Sequence, residues 1–268
     1  MILSIRTTQY SVLQKVAEAV GYRVYLCKGI DNDQQFLLQI ATETAYNGGL
    51  DRAAFILKEL KQTSDSCEEE YAKLHPGEKV NYDQLFPTLI DSFISDEQGQ
   101  RRINILALKD VATIQKMVPL STLKDRDQLR ISLETSGWIM GRLLKLLSFT
   151  HPQGISVRQL DSNNILIDLE RHHVVVFNWS QSQTYIQEVV LEQRRQDIID
   201  AAKAVFLAIG GDINTGVYQY DPDHEYSKFI WNLAWHNDGD ARKAHAQYYE
   251  LVHRLFGHGY IPSKTIPL

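Results

Sequence analysis

Apolar residues in the first third of the chain come in short β-rich runs. Val12-Leu13 and Val24-Tyr25-Leu26-Cys27 predict two strands, and Phe36-Leu37-Leu38-Gln39-Ile40-Ala41 a third. Lys28-Gly29-Ile30-Asp31-Asn32-Asp33 supplies a turn before the third, which makes a hairpin. Gly48-Gly49 then punctuates the chain, and Leu50, Ala54, Leu57 and Leu60 recur at helical spacing. The acidic run Glu68-Glu69-Glu70 reads as a solvated helix face, with a surface loop at Pro76-Gly77. Phe86 to Ile94 and Arg102 to Leu108 predict two more strands about the turn Asp96-Glu97-Gln98-Gly99.

The pattern then turns helical. Leu129 to Phe149 predicts one long helix with Trp138, Leu143, Leu144 and Leu147 on its buried side. Ile165-Leu166-Ile167 and Val174-Val175-Val176-Phe177 form a hairpin around Asp168-Leu169-Glu170-Arg171. Asp197 to Ile209 is an apolar helix, since Ile198, Ala202, Val205 and Ile209 recur at three- and four-residue steps, and Gly210-Gly211 stops it. Tyr226 to Phe256 is helical in pattern and rich in aromatics. This order gives an α+β arrangement of two lobes: residues 1–108 with strands plus one helical segment, and residues 109–268 with helices and an embedded hairpin.

Composition narrows the function classes. A chain that is 44% hydrophobic and 23% charged is globular rather than disordered. A net charge of -5 argues against a dedicated nucleic-acid binder. Cys27 and Cys67 are too few for a disulfide framework, and no uncharged apolar run is long enough to span a bilayer. Met1 to Arg6 lacks the basic and apolar regions of a signal peptide, so the expectation is a soluble cytoplasmic protein whose partner is another protein, not a nucleic acid or a membrane. His172-His173 would alternate faces of a strand and read as surface residues. His151, His236, His245, His253 and His258 lack metal-site spacing, and no G-x-S-x-G or G-x-x-x-x-G-K-[ST] motif occurs. Trp231, Trp235, Tyr248, Tyr249 and Phe256 read as core, or as a protein contact if exposed.

The most informative stretch is Ser156-Val157-Arg158-Gln159-Leu160-Asp161-Ser162-Asn163-Asn164, followed by the hairpin and Asn178-Trp179-Ser180. It resembles the catalytic core of the protein-kinase-like superfamily, in which H-R-D-L-x-x-x-N precedes one strand and D-F-G follows the next. Arg158, Leu160 and Asn164 match; Gln159 stands at the catalytic-base Asp and Asn178 at the D-F-G Asp. Upstream, the phosphate-loop glycines would fall on Ala17, Ala19 and Tyr22, with Gly21 one position out of register. Gln39 stands where the strand Lys belongs, and Glu59 lies near the helix Glu that pairs with it. Ile103 to Leu108 resembles the strand leading to the hinge. Asp197 fits the Asp that binds the catalytic-loop backbone, so Arg158 and Asp197 are expected to be structural. The segment between Ser180 and Asp197 is short and has no A-P-E motif.

The resemblance implies a two-lobed kinase-like fold, of a degenerate, bacterial-type pseudokinase member. Phosphoryl transfer needs positioning and neutralised phosphate charge. Loss of one preorganised donor costs about 2.7–4 kcal/mol, and loss of a general base roughly 100- to 10,000-fold in rate. Asn is a poor ligand for a hard cation compared with Asp. The expectation is a regulatory binding module without catalytic residues, cofactor or metal. The alternative is an atypical phosphotransferase using Asp161 and Asn164 with ATP and magnesium, in which Asn164 and Asn178 would ligate the metal. A further alternative is a regulator that binds nucleotide without turnover. The competing reading of Asp161 is a turn-capping carboxylate, and that of Asn164 is a residue satisfying local backbone groups.

Overall fold

The structure is a computed structural model that describes residues 2–5, 8–30, 34–111 and 113–268. The chain divides into two compact units, Met1–Lys116 with Asn178–Gln181, and Met117–Phe177 with Ser182–Leu268. Strand alternation builds the first. Strands β1 (Ile2–Ile5), β2 (Thr8–Ala19), β3 (Tyr22–Gly29), β4 (Gln35–Ala41), β5 (Thr88–Ser95) and β6 (Arg101–Ala107) form an antiparallel sheet of order β1-β2-β3-β4-β6-β5. Phe36, Leu38 and Ile40 of β4 cluster with Tyr10, Cys27, Ile103 and Ile105 on one face. Because side chains alternate, Leu37 and Gln39 point to the other face. That face meets helix α1 (Asn47–Leu74), which packs against β4, β5 and β6 and buries Leu50, Ile56, Leu57 and Leu60. The predicted turn residues Asp31, Asn32 and Asp33 lie outside the described residues.

Helix α1 runs well past its apolar stripe. Its acidic run was expected to be solvated, and Glu69 and Glu70 are exposed. Glu68, by contrast, is half-buried and accepts from the backbone N–H groups of Val80 (3.1 Å) and Asn81 (3.0 Å), so it ties down the loop that leads to β5.

The second unit is mainly helical. Strands β7 (Val118–Pro119), β10 (Ile165–Asp168) and β11 (His173–Val176) form a small sheet, and α2 (Leu120–Asp125) follows β7. A shorter ladder joins β9 (Ile155–Ser156) to β12 (Gln183–Thr184). The long helix expected from Leu129 begins later. Leu129–Ile131 is a strand, β8, paired with β13 (Thr265–Pro267), and α3 (Leu133–Thr150) starts where Ser132 Oγ caps Thr135 N at 3.2 Å. Pairing with a distant strand, followed by an N-cap, overrides the local helical periodicity. Helix α3 packs against α4 (Leu191–Ala208) and α6 (Ala241–Phe256), and α4 also packs on α5 (Glu225–His236). The helical stretch expected from Tyr226 is broken between α5 and α6, where Asp240 caps the new helix.

Two further expectations change. Trp138 is only half-buried; it stacks on His172 at 4.6 Å, and His172 in turn stacks on Tyr260 at 4.7 Å. His172 is therefore a partly buried rung of aromatic rings, not a free surface residue. Of the aromatics expected in the core, Tyr248 is buried, whereas Trp235 and Tyr249 are about half exposed. Among the described residues no helix is long and apolar enough to cross a membrane.

Candidate functional site

The first unit contributes a chain of neutral polar side chains. Gln39 on β4 and Asn104 on β6 are cross-strand partners, on the face toward α1. They are 1% and 0% exposed, so each needs hydrogen bonds. Asn104 Nδ2 donates to Leu50 O at 2.9 Å and to Gln39 Oε1 at 3.4 Å; Gln39 Nε2 donates to Asn178 Oδ1 at 3.5 Å. Ser92 Oγ donates to Asn104 Oδ1 at 2.7 Å, and Arg102 Nη1 reaches Ser92 Oγ at 2.8 Å. The charge at the outer end is balanced by Asp51, 2.9 Å from Arg102 Nη2. Glu59 is half-buried and has no hydrogen-bond or ion-pair partner among the described residues, so Gln39 is held by amides alone.

Asn178 is locked into the same unit. Its Oδ1 accepts from Ser180 N at 3.1 Å as well as from Gln39, so both lone pairs of that oxygen are engaged. Arg52 Nη1 donates to Ser180 O at 3.0 Å, and Trp179, fully buried, meets Phe86 edge-on at 6.3 Å. Ala17 and Ala19 lie exposed on β2, which pairs with β3 up to Ala19↔Tyr22. The turn between them is a tight hairpin. Gly21 has φ +93° and presses so closely on Tyr46 that a Cβ would sit 2.8 Å from its ring. Tyr22 is buried.

The second unit holds the catalytic-loop-like segment. Asp197 of α4, 0% exposed, accepts from Val157 N (3.1 Å), Arg158 N (3.0 Å) and His151 Nε2 (3.1 Å). These bonds hold Arg158 at φ +66°, a conformation rarely adopted outside glycine. The Arg158 guanidinium reaches two neutral acceptors, Gln183 Oε1 at 3.3 Å and Gln193 Oε1. Asp161 Oδ1 accepts from Asn163 N (2.8 Å) and Asn164 N (3.1 Å), while its Oδ2 lies 3.5 Å from Gln159 Nε2. Asn164 is buried; its Nδ2 donates to Gln159 O at 2.6 Å, and its own carbonyl accepts from Phe177 N at the base of the β10–β11 hairpin.

Three residues of these networks escape sequence reasoning. Asn104 is a lone polar residue in the apolar run Ile103 to Leu106, a signal of a buried polar contact but not of its partner. His151 bears no motif of its own in that reading. Asp200 lies one helical turn from Asp197; burial raises its carboxyl pKa, and the negative charges of Asp197 and Asp161 push the same way, against the hydrogen bond from Gln196. The surroundings of Asp161 are thus rich in negative charge. Among the described residues no group of three His, Cys, Asp or Glu could hold a metal ion.

No protein-family model matches the chain, and no curated protein matches its sequence. Its fold is that of protein kinase domains. The structure of vaccinia related kinase 3 matches with a TM-score of 0.67 at 14% identity, over 98% of this chain and 93% of that one. The BubR1 kinase domain matches with a TM-score of 0.65 at 10% identity, over 95% and 83%.

Proposed function

We propose that this kinase-like chain is a pseudokinase: a regulatory module that binds another protein and carries out no Mg-ATP phosphotransfer. The observation that carries this reading is the neutral chain Asn104–Gln39–Asn178, in which Gln39 and Asn178 stand where the motif resemblance puts the strand Lys and the D-F-G Asp. A Lys ammonium there would draw the α- and β-phosphates, and an Asp carboxylate would hold magnesium. Amides provide neither charge, and the Asn178 oxygen is already saturated by Ser180 N and Gln39. The hairpin at Gly21 adds to the case, because Ala17, Ala19 and Tyr22 replace glycines whose bare backbone would approach phosphates.

A second reading rests on Asp161. Its Oδ1 serves the turn, whereas Oδ2 stands beside Gln159 with only a 3.5 Å contact, and Asn164 closes the same loop on Gln159 O. That reading is an ATP- and magnesium-dependent phosphotransferase with a displaced acid.

Thermal unfolding with and without ATP and magnesium separates the two. A ligand present at 100 times its dissociation constant adds about 2.7 kcal/mol of stability. The expected result is no magnesium-dependent shift. A shift abolished by Asn164→Ala overturns the ATP-free reading, and γ-phosphate transfer abolished by Asp161→Ala establishes the enzyme. A shift without any transfer leaves a nucleotide-binding regulator.

A further inference from the structure

The sheet of the first unit carries a cavity of about 290 Å3 on the face turned away from α1 and from Gln39. Strand register puts it there. Arg23 of β3 stands opposite Ile40 of β4, and Ile40 stands opposite Ile103 of β6. Arg101 lies two residues before Ile103 and so shares its face. Arg23 and Arg101 therefore flank Ile40, at the edge of the buried cluster that Ile40 forms with Leu38 and Ile103. Two bulges in β2, between Val12 and Gln14 and between Lys15 and Ala17, bend that strand, and Val12 walls the cavity together with Tyr25.

The floor is apolar and the rim is cationic. Ile40 and Ala41 are buried, and Val12 and Tyr25 are partly buried against the same core. Arg23 Nε pairs with Glu18 at 2.8 Å, so its charge is compensated. Arg101 differs. Its Nε donates to Gln98 O at 2.5 Å and its Nη2 to Gln98 Oε1 at 2.7 Å, whereas Nη1 reaches Ala41 O only at 3.5 Å. It has no carboxylate partner among the described residues. A guanidinium carries five N–H donors in a fixed fork, so Gln98 orients the group and leaves its Nη1 side open.

We propose that this cavity binds a small monocarboxylate with an apolar body. The Arg101 fork takes the two carboxylate oxygens, a pairing whose planar geometry guanidinium groups match. Val12, Tyr25 and Ile40 take the apolar body. One uncompensated cation on the rim matches one negative charge, which favours a carboxylate over a phosphate monoester carrying about 1.5 to 2 charges at pH 7. A volume of about 290 Å3 is at the small end for ligand sites, so the body is short and not a long lipid chain.

The test is titration calorimetry of octanoate on the purified chain at about pH 7, with octanamide and octyl phosphate compared at matched ionic strength. Saturable one-to-one uptake of octanoate is expected. Octanamide and octyl phosphate should each bind at least about tenfold more weakly, a factor that equals about 1.4 kcal/mol. Shortening the chain toward butanoate should weaken binding about fourfold per methylene, which is about 0.8 kcal/mol for each buried CH2. Arg101→Gln should weaken octanoate at least about tenfold. Because Arg101 also braces Gln98, Val12→Trp is the second variant: it fills the cavity from its half-buried wall, keeps the Arg101 contacts and should abolish uptake. Melting temperatures confirm that both variants fold, and carbon-13 spectra of the wild type should show the Ile40 δ1 methyl moving on titration. Octanamide or octyl phosphate binding as tightly as octanoate, absence of saturation, an unmoved Ile40 methyl, or unchanged affinity in either folded variant overturns the site.

Discussion

Gln39→Lys restores the charge that the kinase resemblance would require, and the structure makes its cost calculable. Gln39 is 1% exposed, its partners are the amides of Asn104 and Asn178, and Glu59 is not among them. An ammonium there is a buried charge without a counterion, a situation that costs about 3–5 kcal/mol. Its pKa falls below the unfolded value of about 10.4, so the unfolded state binds more protons in the intervening range and stability rises with pH there. Between about pH 7 and about pH 9 the destabilisation relative to wild type should shrink by as much as about 2.7 kcal/mol, at about 1.36 kcal/mol per unit. Gln39→Leu is the control. It removes two long hydrogen bonds, yet Asn104 keeps Leu50 O and Asn178 keeps Ser180 N, so it should cost only about 1 kcal/mol at either pH. Gln39→Lys with Asn178→Asp should recover about 0.5–3 kcal/mol through direct coupling. Urea midpoints at the two pH values measure all three. If Gln39→Lys proves no less stable than Gln39→Leu and shows no pH dependence, the neutral-network reasoning is refuted.

Other outcomes follow from the same packing. Asp197→Ala removes a wholly buried carboxylate and leaves the buried Val157 N–H and the part-buried Arg158 N–H unpaired, which should lower stability by about 3–5 kcal/mol, read as a drop in melting temperature. Gly154→Ala would place a Cβ 2.2 Å from Gln187 O at φ +69°; limited proteolysis should then open the Tyr185 to Glu188 segment, which in the wild type is held by Tyr185 N on Gly154 O and Val189 N on His151 O. Burial pushes the Cys27 thiol up to about 12, against a smaller lowering from the Phe36 backbone, so a thiol reagent at about pH 8 should modify Cys67 first and Cys27 only on unfolding. Because the folded Cys27 pKa is the higher one, its contribution to stability is intact below the unfolded value of about 8.5 and declines as pH rises toward 12.

The sequence carried what is local. Short apolar, β-rich runs marked β4 and β6, the 3.6-residue repeat marked α1 and α4, and turn chemistry marked the β10–β11 hairpin. What escaped depends on partners far along the chain. Leu129 to Ile131 looks helical until Thr265 to Pro267 arrives to pair with it. Asn104 is visibly out of place in an apolar strand, but only folding brings Gln39 and Asn178 to it. Substitutions at single motif positions were legible, whereas the hydrogen bonds that now occupy those positions were not.

The short segment Asn178–Gln181 has a consequence for how the chain is made. It belongs to the first unit, yet the ribosome delivers it only after all of Met117–Phe177. At about 5–20 residues per second, the nascent sheet and α1 wait on the order of 3–12 s for it. During that interval the place of Trp179 beside Phe86 is empty, and Gln39 lacks Asn178. An apolar slot and a buried amide are then open together, the combination chaperones bind. A fragment ending at Lys116 would stay in that state permanently, so truncation at the unit boundary yields a sticky intermediate and not a miniature domain.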